Sequence, residues 1–426
     1  MEKVAFWFRR DLRLEDNTGL FQALNTGKQV VPVFIFDSAI LDELDRDDAR
    51  VSFIYQSLNE IHNQLLSYGS SLCIRFGEPS EVWKKLILEF DITSIYSNED
   101  YEPYAMERDR AVRQLAKSQK VKWNTYKDQV IFGPNEVLKP SDGKPYTVYT
   151  PFKNRWLEYF KKQPPIELLN ANYENLHRFS EAFPTIESFG FEKSKIAVKP
   201  YDLSQLENYK TLRDFPAADG TSYLSVHLRF GTVGVRQVIK QLSVSDEVFL
   251  SELIWREFFM QILYHFPQVV SQSFKIKYDR IPWRNNEAEF EKWKKGETGF
   301  PMVDAGMRQL NQTGYMHNRV RMVVASFLCK HLLIDWRWGE SYFASKLLDY
   351  ELASNNGNWQ WAAGTGCDAA PYFRVFNPTE QLKKFDPQME YIKRWVSEFV
   401  PPMVDHKAVR IRAINTYKKV LTSFDN

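Results

Sequence analysis

Cysteine is scarce in this chain, and the few cysteines lie far apart. Cys73, Cys329 and Cys367 are the three thiols among 426 residues. So small and scattered a set provides neither a disulfide framework nor the close ligand spacing of a metal centre. We therefore expect a reducing, cytoplasmic setting and a protein that binds no metal.

Long apolar runs are missing as well. The first apolar stretch ends at Arg9 and Arg10, which is too soon for a signal peptide or a membrane span. We therefore expect no membrane association. The 56 basic and 54 acidic residues nearly balance, so net charge indicates no partner. A basic face would have to arise from segregated charge.

Apolar residues, by contrast, make up 44% of the chain, enough for a sizeable core. The length indicates two domains. Strand-like runs and helical stretches alternate in residues 1–131, which predicts an α/β domain with a Rossmann-like parallel sheet. No G-x-G-x-x-G motif follows the first run, which argues against a standard dinucleotide site there. The predicted strands cover residues 4–8, 30–36, 72–76, 92–96 and 121–123, and the predicted helices cover 48–67, 79–89 and 104–117.

The remainder of the chain changes character twice. Residues 132–200 are irregular and rich in proline, apart from a helix predicted over 150–162, and are interpreted as an interdomain linker. Residues 201–426 show helical spacing and few strand signals, which predicts an all-α second domain. Its main predicted helices cover residues 251–266, 302–313, 317–333, 339–348 and 387–399.

Tryptophan is concentrated in the predicted helical domain. Eight of the 12 tryptophans lie between Trp255 and Trp395. Such a cluster is compatible with ordinary core packing, with a platform on which bases stack, or with a set of redox-active side chains. The composition leaves these three interpretations open.

Two helical segments combine polar and aromatic groups in ways that suit a binding site. Glu252 and Trp255 are three residues apart and share a helix face. If Glu252 is partly buried, its raised pKa would keep the carboxyl protonated as a hydrogen-bond donor. Asn318 and Met322 share another face, while Arg319 points elsewhere; the amide suits a base edge and the arginine a phosphate. Plain surface pairs remain the alternative for both segments.

A turn before a predicted helix suits a phosphate. In residues 219–225 an Asp-Gly pair precedes Thr221, Ser222 and Tyr223, and exposed main-chain N–H groups and hydroxyls there would bind an anion. Taken alone, these residues are explained more simply by an ordinary helix N-cap.

The segment from Asn355 to Gly364 is the most distinctive. It reads Asn-Asn-Gly-Asn-Trp-Gln-Trp-Ala-Ala-Gly and continues Thr-Gly-Cys-Asp-Ala-Ala-Pro-Tyr-Phe-Arg-Val-Phe-Asn-Pro. This resembles the flavin-binding core of the photolyase/cryptochrome family, and most closely a class I cyclobutane pyrimidine dimer photolyase. The resemblance implies an α/β antenna-binding domain over 1–131, and a helical domain over 201–426 that binds FAD and DNA.

The same resemblance implies a set of cofactor contacts. Tyr223 stands where relatives have arginine, and Glu351 stands where they have aspartate. Asn355 matches the residue that faces flavin N5; plant cryptochromes resemble an aspartate there and animal ones a cysteine, so asparagine favours repair over signalling. The implied FAD-binding residues are Tyr209, Thr221, Ser222, Tyr223, Leu224, Ser225, Arg321, Asp349, Tyr350, Glu351 and Asn355.

It also implies DNA contacts and an electron path. His317-Asn318 stands where (6-4) photolyases resemble a His-His pair, which argues against the (6-4) lesion, and Tyr315 stands where most relatives have tryptophan. The implied catalytic residues are Glu252 and Asn355, with Trp283, Trp336 and Trp359 passing electrons to the flavin. The implied DNA-binding residues are Arg213, Glu252, Trp255, Asn318, Arg319, Met322, Trp361 and Gln381.

The function implied is light-driven repair of pyrimidine dimers in UV-damaged DNA by an electron from photoexcited reduced FAD. A monomer is expected. The sequence leaves open whether the second, antenna chromophore is folate, deazaflavin or flavin, or is absent. Two alternatives remain. One is a cryptochrome-type photoreceptor that signals to a protein partner. The other is a light-independent single-strand binder, which would leave Asp349 and Asn355 unexplained.

Overall fold

The computed structural model describes residues 2–166, 168 and 171–422. Residues 167, 169 and 170 of the predicted 132–200 linker lie outside the described residues. The chain forms two compact units that are discontinuous in sequence, whereas the predicted domains 1–131, 132–200 and 201–426 are contiguous. One unit comprises Met1–Glu136, Trp156–Pro200 and Leu224–Ser243, and the other comprises Val137–Arg155, Tyr201–Tyr223 and Val244–Asn426.

The first unit contains a five-stranded sheet in the order β3-β2-β1-β4-β5. All four strand pairs are parallel, so the predicted parallel sheet is confirmed. Most residues of the central strand β1 are buried, because helices cover both faces of a parallel sheet. The strands are β1 Lys3–Phe8, β2 Gln29–Asp37, β3 Cys73–Gly77, β4 Ile92–Asn98 and β5 Lys122–Tyr126.

Helices account for most of the remaining structure. The first five belong to the sheet-containing unit, and Asn17 caps the first through its side chain, which accepts from the Leu20 N–H. The α-helices are α1 Thr18–Leu24, α2 Ser38–Leu41, α3 Ala49–Leu66, α4 Pro79–Phe90, α5 Pro103–Ser118, α6 Tyr149–Lys162, α7 Leu206–Leu212, α8 Leu224–Phe230, α9 Val235–Lys240, α10 Glu247–His265, α11 Glu287–Lys295, α12 Pro301–Thr313, α13 Asn318–Ser326, α14 Trp336–Lys346, α15 Leu352–Ala363, α16 Pro378–Phe385, α17 Glu390–Trp395 and α18 His406–Thr422.

Two predicted helices are shorter than expected. The helix predicted over 317–333 is α13 followed by a π-helical turn, Phe327–His331. The helix predicted over 387–399 is reduced to α17, because Met389 takes a left-handed conformation with φ of 58° at its start. Short 3₁₀ turns occupy Tyr173–Asn175, Ile186–Phe189, Pro216–Ala218, Val244–Asp246, Pro267–Val270 and Ile276–Arg280.

Close helix contacts at two glycines position the residues of interest in the helical unit. A Cβ on Gly339 of α14 would lie 2.1 Å from Cη2 of Trp359, and a Cβ on Gly357 of α15 would lie 2.1 Å from Cδ1 of Phe259. Both distances are impossible for a real side chain. Helix α15 therefore packs directly on α14 and on α10, which carry several of the predicted site residues.

Candidate functional site

Two half-exposed tryptophans lie on the packed helices α10 and α15. Trp255 of α10 stacks on Tyr149, with ring centres 3.6 Å apart and planes 8° apart. Trp361 of α15 packs at the edge of the helical core, and the Arg374 guanidinium lies 5.9 Å from its ring. Each tryptophan is held by the protein on one side and keeps exposed surface. Each ring therefore has surface that a planar ligand can contact.

Glu252 is engaged differently from the sequence expectation. Its Oε1 accepts from Nη1 of Arg213 at 2.6 Å, and about a third of the Glu252 side chain is exposed. A carboxylate opposite a guanidinium is an acceptor, whereas the expected protonated Glu252 is a donor. In this structure the two residues therefore neutralise one another, and neither faces a ligand alone.

The residues predicted to contact DNA on α13 cluster around another ion pair. Nη2 of Arg319 donates to Oδ1 of Asp214 at 2.6 Å, and its guanidinium lies 4.4 Å from the Phe385 ring. Its Nη1 also lies 3.8 Å from Sδ of Met322, so Arg319 points toward Met322 and not away from it, because residues three apart on a helix are neighbours. Asn318 begins the helix and is exposed.

Gln381 lies half-buried on α16. Its Oε1 is enclosed and has no hydrogen-bond partner among the described residues. A buried amide oxygen without a partner is costly unless something occupies the space beside it. Gln381 is therefore compatible with a ligand contact, as predicted for DNA.

Further ion pairs link the predicted cofactor residues. Nη2 of Arg321 donates to both carboxylate oxygens of Asp349, at 3.1 and 2.9 Å. Arg256 of α10 lies 3.4 Å from Glu351, whose other oxygen accepts from the Ser354 hydroxyl. The aspartate and the glutamate are thus held by arginines from separate helices. Tyr350 lies between them, packed against the helical core.

Asn355 has a determined orientation. Its Nδ2 donates to Oε1 of Glu340 at 2.8 Å and to the Glu340 main-chain oxygen at 3.1 Å. The main-chain oxygen only accepts, so the amino end of the amide must lie on that side. Oδ1 consequently faces the opposite direction as an acceptor. Burial raises the pKa of Glu340.

The predicted phosphate-binding turn has strained backbone. Asp219 and Tyr223 both take left-handed conformations, with φ of 49° and 52°. The Tyr223 hydroxyl donates to Asp219, and its ring stands edge-on to Tyr315 at 5.3 Å. Thr221 and Ser222 therefore lie in a locally constrained turn. Leu224 and Ser225 begin α8.

Tyr209 packs nearby on α7, edge-on to Phe249 with ring centres 5.0 Å apart. Burial raises the pKa of its hydroxyl to about 12. Arg213, at the end of the same helix, lies 5.4 Å from the Tyr209 ring. The hydroxyl therefore stays protonated at neutral pH and remains a donor.

The three tryptophans of the implied electron path share one hydrophobic cluster. Trp359 and Trp336 are buried in it, and the half-exposed Trp283 packs against it. Trp359 also stands edge-on to Phe343 at 4.9 Å, and to a further buried tryptophan, Trp293, at 6.2 Å. Two of the three tryptophans are thus enclosed in the core and the third reaches the surface, and their role in electron transfer stays a prediction.

His317 was not predicted from the sequence as a site residue. It caps α13, and its Nδ1 accepts from the Arg319 N–H at 3.2 Å. Nε2 must then carry the proton of the neutral ring, and it is buried without a partner among the described residues. Burial lowers the pKa of His317 to about 4. An unused neutral donor close to Asp214 and Arg321 fits an oxygen-rich cofactor such as FAD.

Tyr149 and Glu340 were also missed. The sequence signal for Tyr149 is its position at the start of a predicted helix in a proline-bearing segment, which carries no hint of Trp255. Glu340 shows no local motif. Only their tertiary contacts identify them.

A second cleft lies at the carboxyl edge of β1 and β4, where the strand order reverses. Ligands bind at such switch points in parallel sheets. Here the charges are paired: Arg10 lies 3.2 Å from Asp100 and 3.0 Å from Glu102. The cleft is narrow and polar, and its lining includes Arg9, Arg10, Asp11, Asn98, Glu99, Asp100, Asp128 and Gln129.

Two negative findings hold for the described part of the chain. Within residues 2–166, 168 and 171–422, no cluster of three histidine, cysteine or acidic side chains is arranged to hold a metal ion. Nor does any helix there have the length and apolarity to cross a membrane.

Comparison with known proteins gives matches to both halves of the chain. The family described as DNA photolyase matches residues 4–169, and the FAD binding domain of DNA photolyase matches residues 249–401. The chain is 39% identical to a deoxyribodipyrimidine photo-lyase from Synechococcus sp., over 93% of this chain and 88% of that protein.

Solved structures agree. An archaeal photolyase from Sulfolobus tokodaii, containing two FAD molecules, is 36% identical with a TM-score of 0.85, covering 98% of this chain and all of that one (100%). A class III photolyase from Agrobacterium tumefaciens is 32% identical with a TM-score of 0.83, covering 99% and 98%. The chain therefore resembles a class III photolyase as well, and these comparisons do not assign it to class I.

Proposed function

The chain belongs to the DNA photolyase family, and from this premise we propose that it repairs cyclobutane pyrimidine dimers in UV-damaged DNA with light. The observation that carries the proposal is the pair of half-exposed tryptophans, Trp255 and Trp361, on two helices in direct contact. An extruded dimer offers two planar faces for such a pair. Extrusion costs less at a lesion than at normal bases, because pairing and stacking there are already weak. Stacking contributes roughly 1–3 kcal/mol per base.

FAD, when bound and reduced, supplies under blue light the electron that opens the cyclobutane ring. The chain binds and orients that cofactor. Asp349 and Arg321 offer a carboxylate and a guanidinium, Asn355 offers Oδ1 as an acceptor, and His317 offers Nε2–H as a donor. Asn355 holds no acidic proton, so it can accept from a reduced flavin N–H without protonating the ring. This suits repair.

The DNA-facing charges act by exchanging partners. Arg213 and Arg319 are each paired with a carboxylate in the structure. For either to bind a phosphate, the phosphate must replace that carboxylate. On release from Arg213, Glu252 becomes available to a pyrimidine edge, together with Asn318. Contacts made in this way form only with DNA in place.

A second chromophore is proposed for the α/β unit. The cleft between β1 and β4 supports this, because it lies at the switch point where parallel sheets bind ligands. Its ion pairs, such as Arg10 with Asp100, would have to open for a bulky ring. Extraction of chromophores from purified protein, followed by chromatography, distinguishes folate, deazaflavin and flavin. A single FAD per chain would contradict the proposal.

Illumination of the reduced protein with an oligonucleotide carrying one defined dimer tests the main proposal. We expect restored thymines in blue light and none in the dark. A protein that binds FAD and undergoes photoreduction, yet restores no thymines, would be a photoreceptor or would act on another lesion. We also propose that the enzyme acts in the cytoplasm, where its free thiols, Cys73 and Cys329 among them, would stay reduced. A monomer remains our proposal for its oligomeric state.

A further inference from the structure

Tyr149 is the first residue of α6 and makes the closest aromatic contact of Trp255. The two rings are nearly parallel, 8° apart, with centres separated by 3.6 Å. The Tyr149 hydroxyl is anchored on the same helix as Trp255, since it donates to the Ser251 main-chain oxygen at 2.7 Å and lies 2.6 Å from Ser251 Oγ. Both ends of the Tyr149 side chain are therefore fixed relative to α10.

The main chain of Tyr149 contacts the other half of the site. Its N–H donates to Oδ2 of Asp368 at 3.0 Å. Asp368 lies in the loop that follows α15, the helix that carries Trp361. Tyr149 thus connects helix α10, which carries Trp255, with the loop that follows α15, the helix that carries Trp361.

Tyr149 also determines which surface of Trp255 is available. It covers one face of the indole, while Phe258 stands edge-on at 5.6 Å. Phe259 lies 5.4 Å away with its plane tilted by 29°. A base can stack only on the part of the indole that these three rings leave uncovered. The plane of the indole cannot tilt without breaking the contact with Tyr149.

We propose that Tyr149 is a positioning residue for the damaged base: it fixes the plane of Trp255, and through Asp368 it fixes the spacing between Trp255 and the loop after Trp361. This inference rests on the proposed function and deepens it. Tyr149 touches no substrate itself. Its aromatic ring is the essential part, and its hydroxyl is secondary.

The test compares Tyr149→Leu, which removes the flat ring, with Tyr149→Phe, which keeps the ring and loses only the hydroxyl. Dissociation constants are measured for one oligonucleotide with and without a dimer. For Tyr149→Leu we expect affinity for the damaged strand to fall roughly 3- to 10-fold, the loss of one aromatic pair. Affinity for undamaged DNA, FAD content and the photoreduction rate should stay at wild-type levels. Tyr149→Phe should bind damaged DNA like the wild type.

Three results would overturn the proposal. Unchanged affinity of Tyr149→Leu for the damaged oligonucleotide would show that the contact between Tyr149 and Trp255 does not contribute to binding of the lesion. Equal losses for damaged and undamaged DNA, or loss of FAD, would show a general structural role. A loss in Tyr149→Phe equal to that in Tyr149→Leu would assign the effect to the hydroxyl. Failure of the proposed function is distinguishable, because wild-type protein would then show no preference for damaged DNA.

Discussion

Nδ2 of Asn355 lies 2.8 Å from Oε1 of Glu340, a carboxyl on the neighbouring helix α14. Together with the bond to the Glu340 main-chain oxygen, this contact determines that Oδ1 is the end of the amide left for the proposed flavin contact. Sequence resemblance singles out Asn355, whereas Glu340 decides that Asn355 presents an oxygen. The contact can be tested by substituting either Asn355 or Glu340.

Asn355→Asp should change the protonation state of the photoreduced flavin. The new carboxyl would lie beside Glu340, and two neighbouring carboxyls share a proton because both cannot readily ionise. A proton donor would then face the cofactor. Absorption spectra during blue illumination should show more of the neutral, protonated form. Glu340→Gln, which keeps an amide oxygen as acceptor for Asn355, is the matched control and should resemble the wild type. Identical spectra for Asn355→Asp and the wild type would contradict an N5 contact.

Glu252→Ala should lower the quantum yield of repair while FAD remains bound. The change removes the carboxylate proposed to reach the pyrimidine edge and leaves Arg213 without its partner at 2.6 Å. The freed guanidinium should also raise affinity for undamaged DNA. Glu252→Gln separates the two effects, since the amide retains hydrogen bonding and lacks the charge. An unchanged quantum yield in Glu252→Ala would remove this residue from the repair step.

Asp214→Asn should strengthen DNA binding and make it more sensitive to salt. The substitution frees Arg319 from its ion pair to bind a phosphate, which should steepen the slope of log affinity against log salt by about 1. Titrations at several salt concentrations measure this slope. Adding Arg319→Gln should cancel the gain. If the gain survives in the double variant, Arg319 is not the phosphate contact.

Trp359→Phe should block photoreduction of oxidised FAD, although chemically reduced enzyme should still repair DNA. Phenylalanine keeps an aromatic ring beside Phe343, although it is smaller than the indole that packs on Gly339, and it is far harder to oxidise than tryptophan. Trp293→Phe is the control, because Trp293 is equally buried and lies 6.2 Å from Trp359 without belonging to the proposed path. Flash absorption of both variants measures the rate. Normal photoreduction in Trp359→Phe would exclude this electron path.

The unfolding free energy should fall as the pH drops from about 6.5 towards 3, in part through His331. Burial lowers the pKa of His331 to about 3 in the folded protein, whereas an unfolded histidine titrates near 6.5. In that window the unfolded chain binds more protons, so acid favours unfolding. His331→Gln, whose amide nitrogen can take the place of the Nε2 that lies 2.9 Å from Nδ1 of His406, should flatten this dependence in urea titrations. An unchanged slope would show that His331 contributes nothing.

Much of the fold could be predicted from local patterns. All five strands and the three helices predicted for residues 1–131 lie within a few residues of their predicted positions, because buried parallel strands and amphipathic helices impose periods that are visible over short windows. The prediction of a continuous helix over 317–333 was wrong in its second half, because α13 ends at Ser326. Helical periodicity continues into Phe327–His331, and only packing decides that this turn is π-helical.

For the candidate site too, some features were predictable from the sequence and others were not. By itself the sequence determined the residue types, the order of the motifs and, through them, the family. Only the tertiary structure decided the partners. Arg213 meets Glu252 across 39 positions and Tyr149 reaches Ser251 across 102, distances over which no periodicity carries information. Which arginine a carboxylate pairs with, and which ring covers Trp255, depends on how helices pack, and that is a property of the whole core.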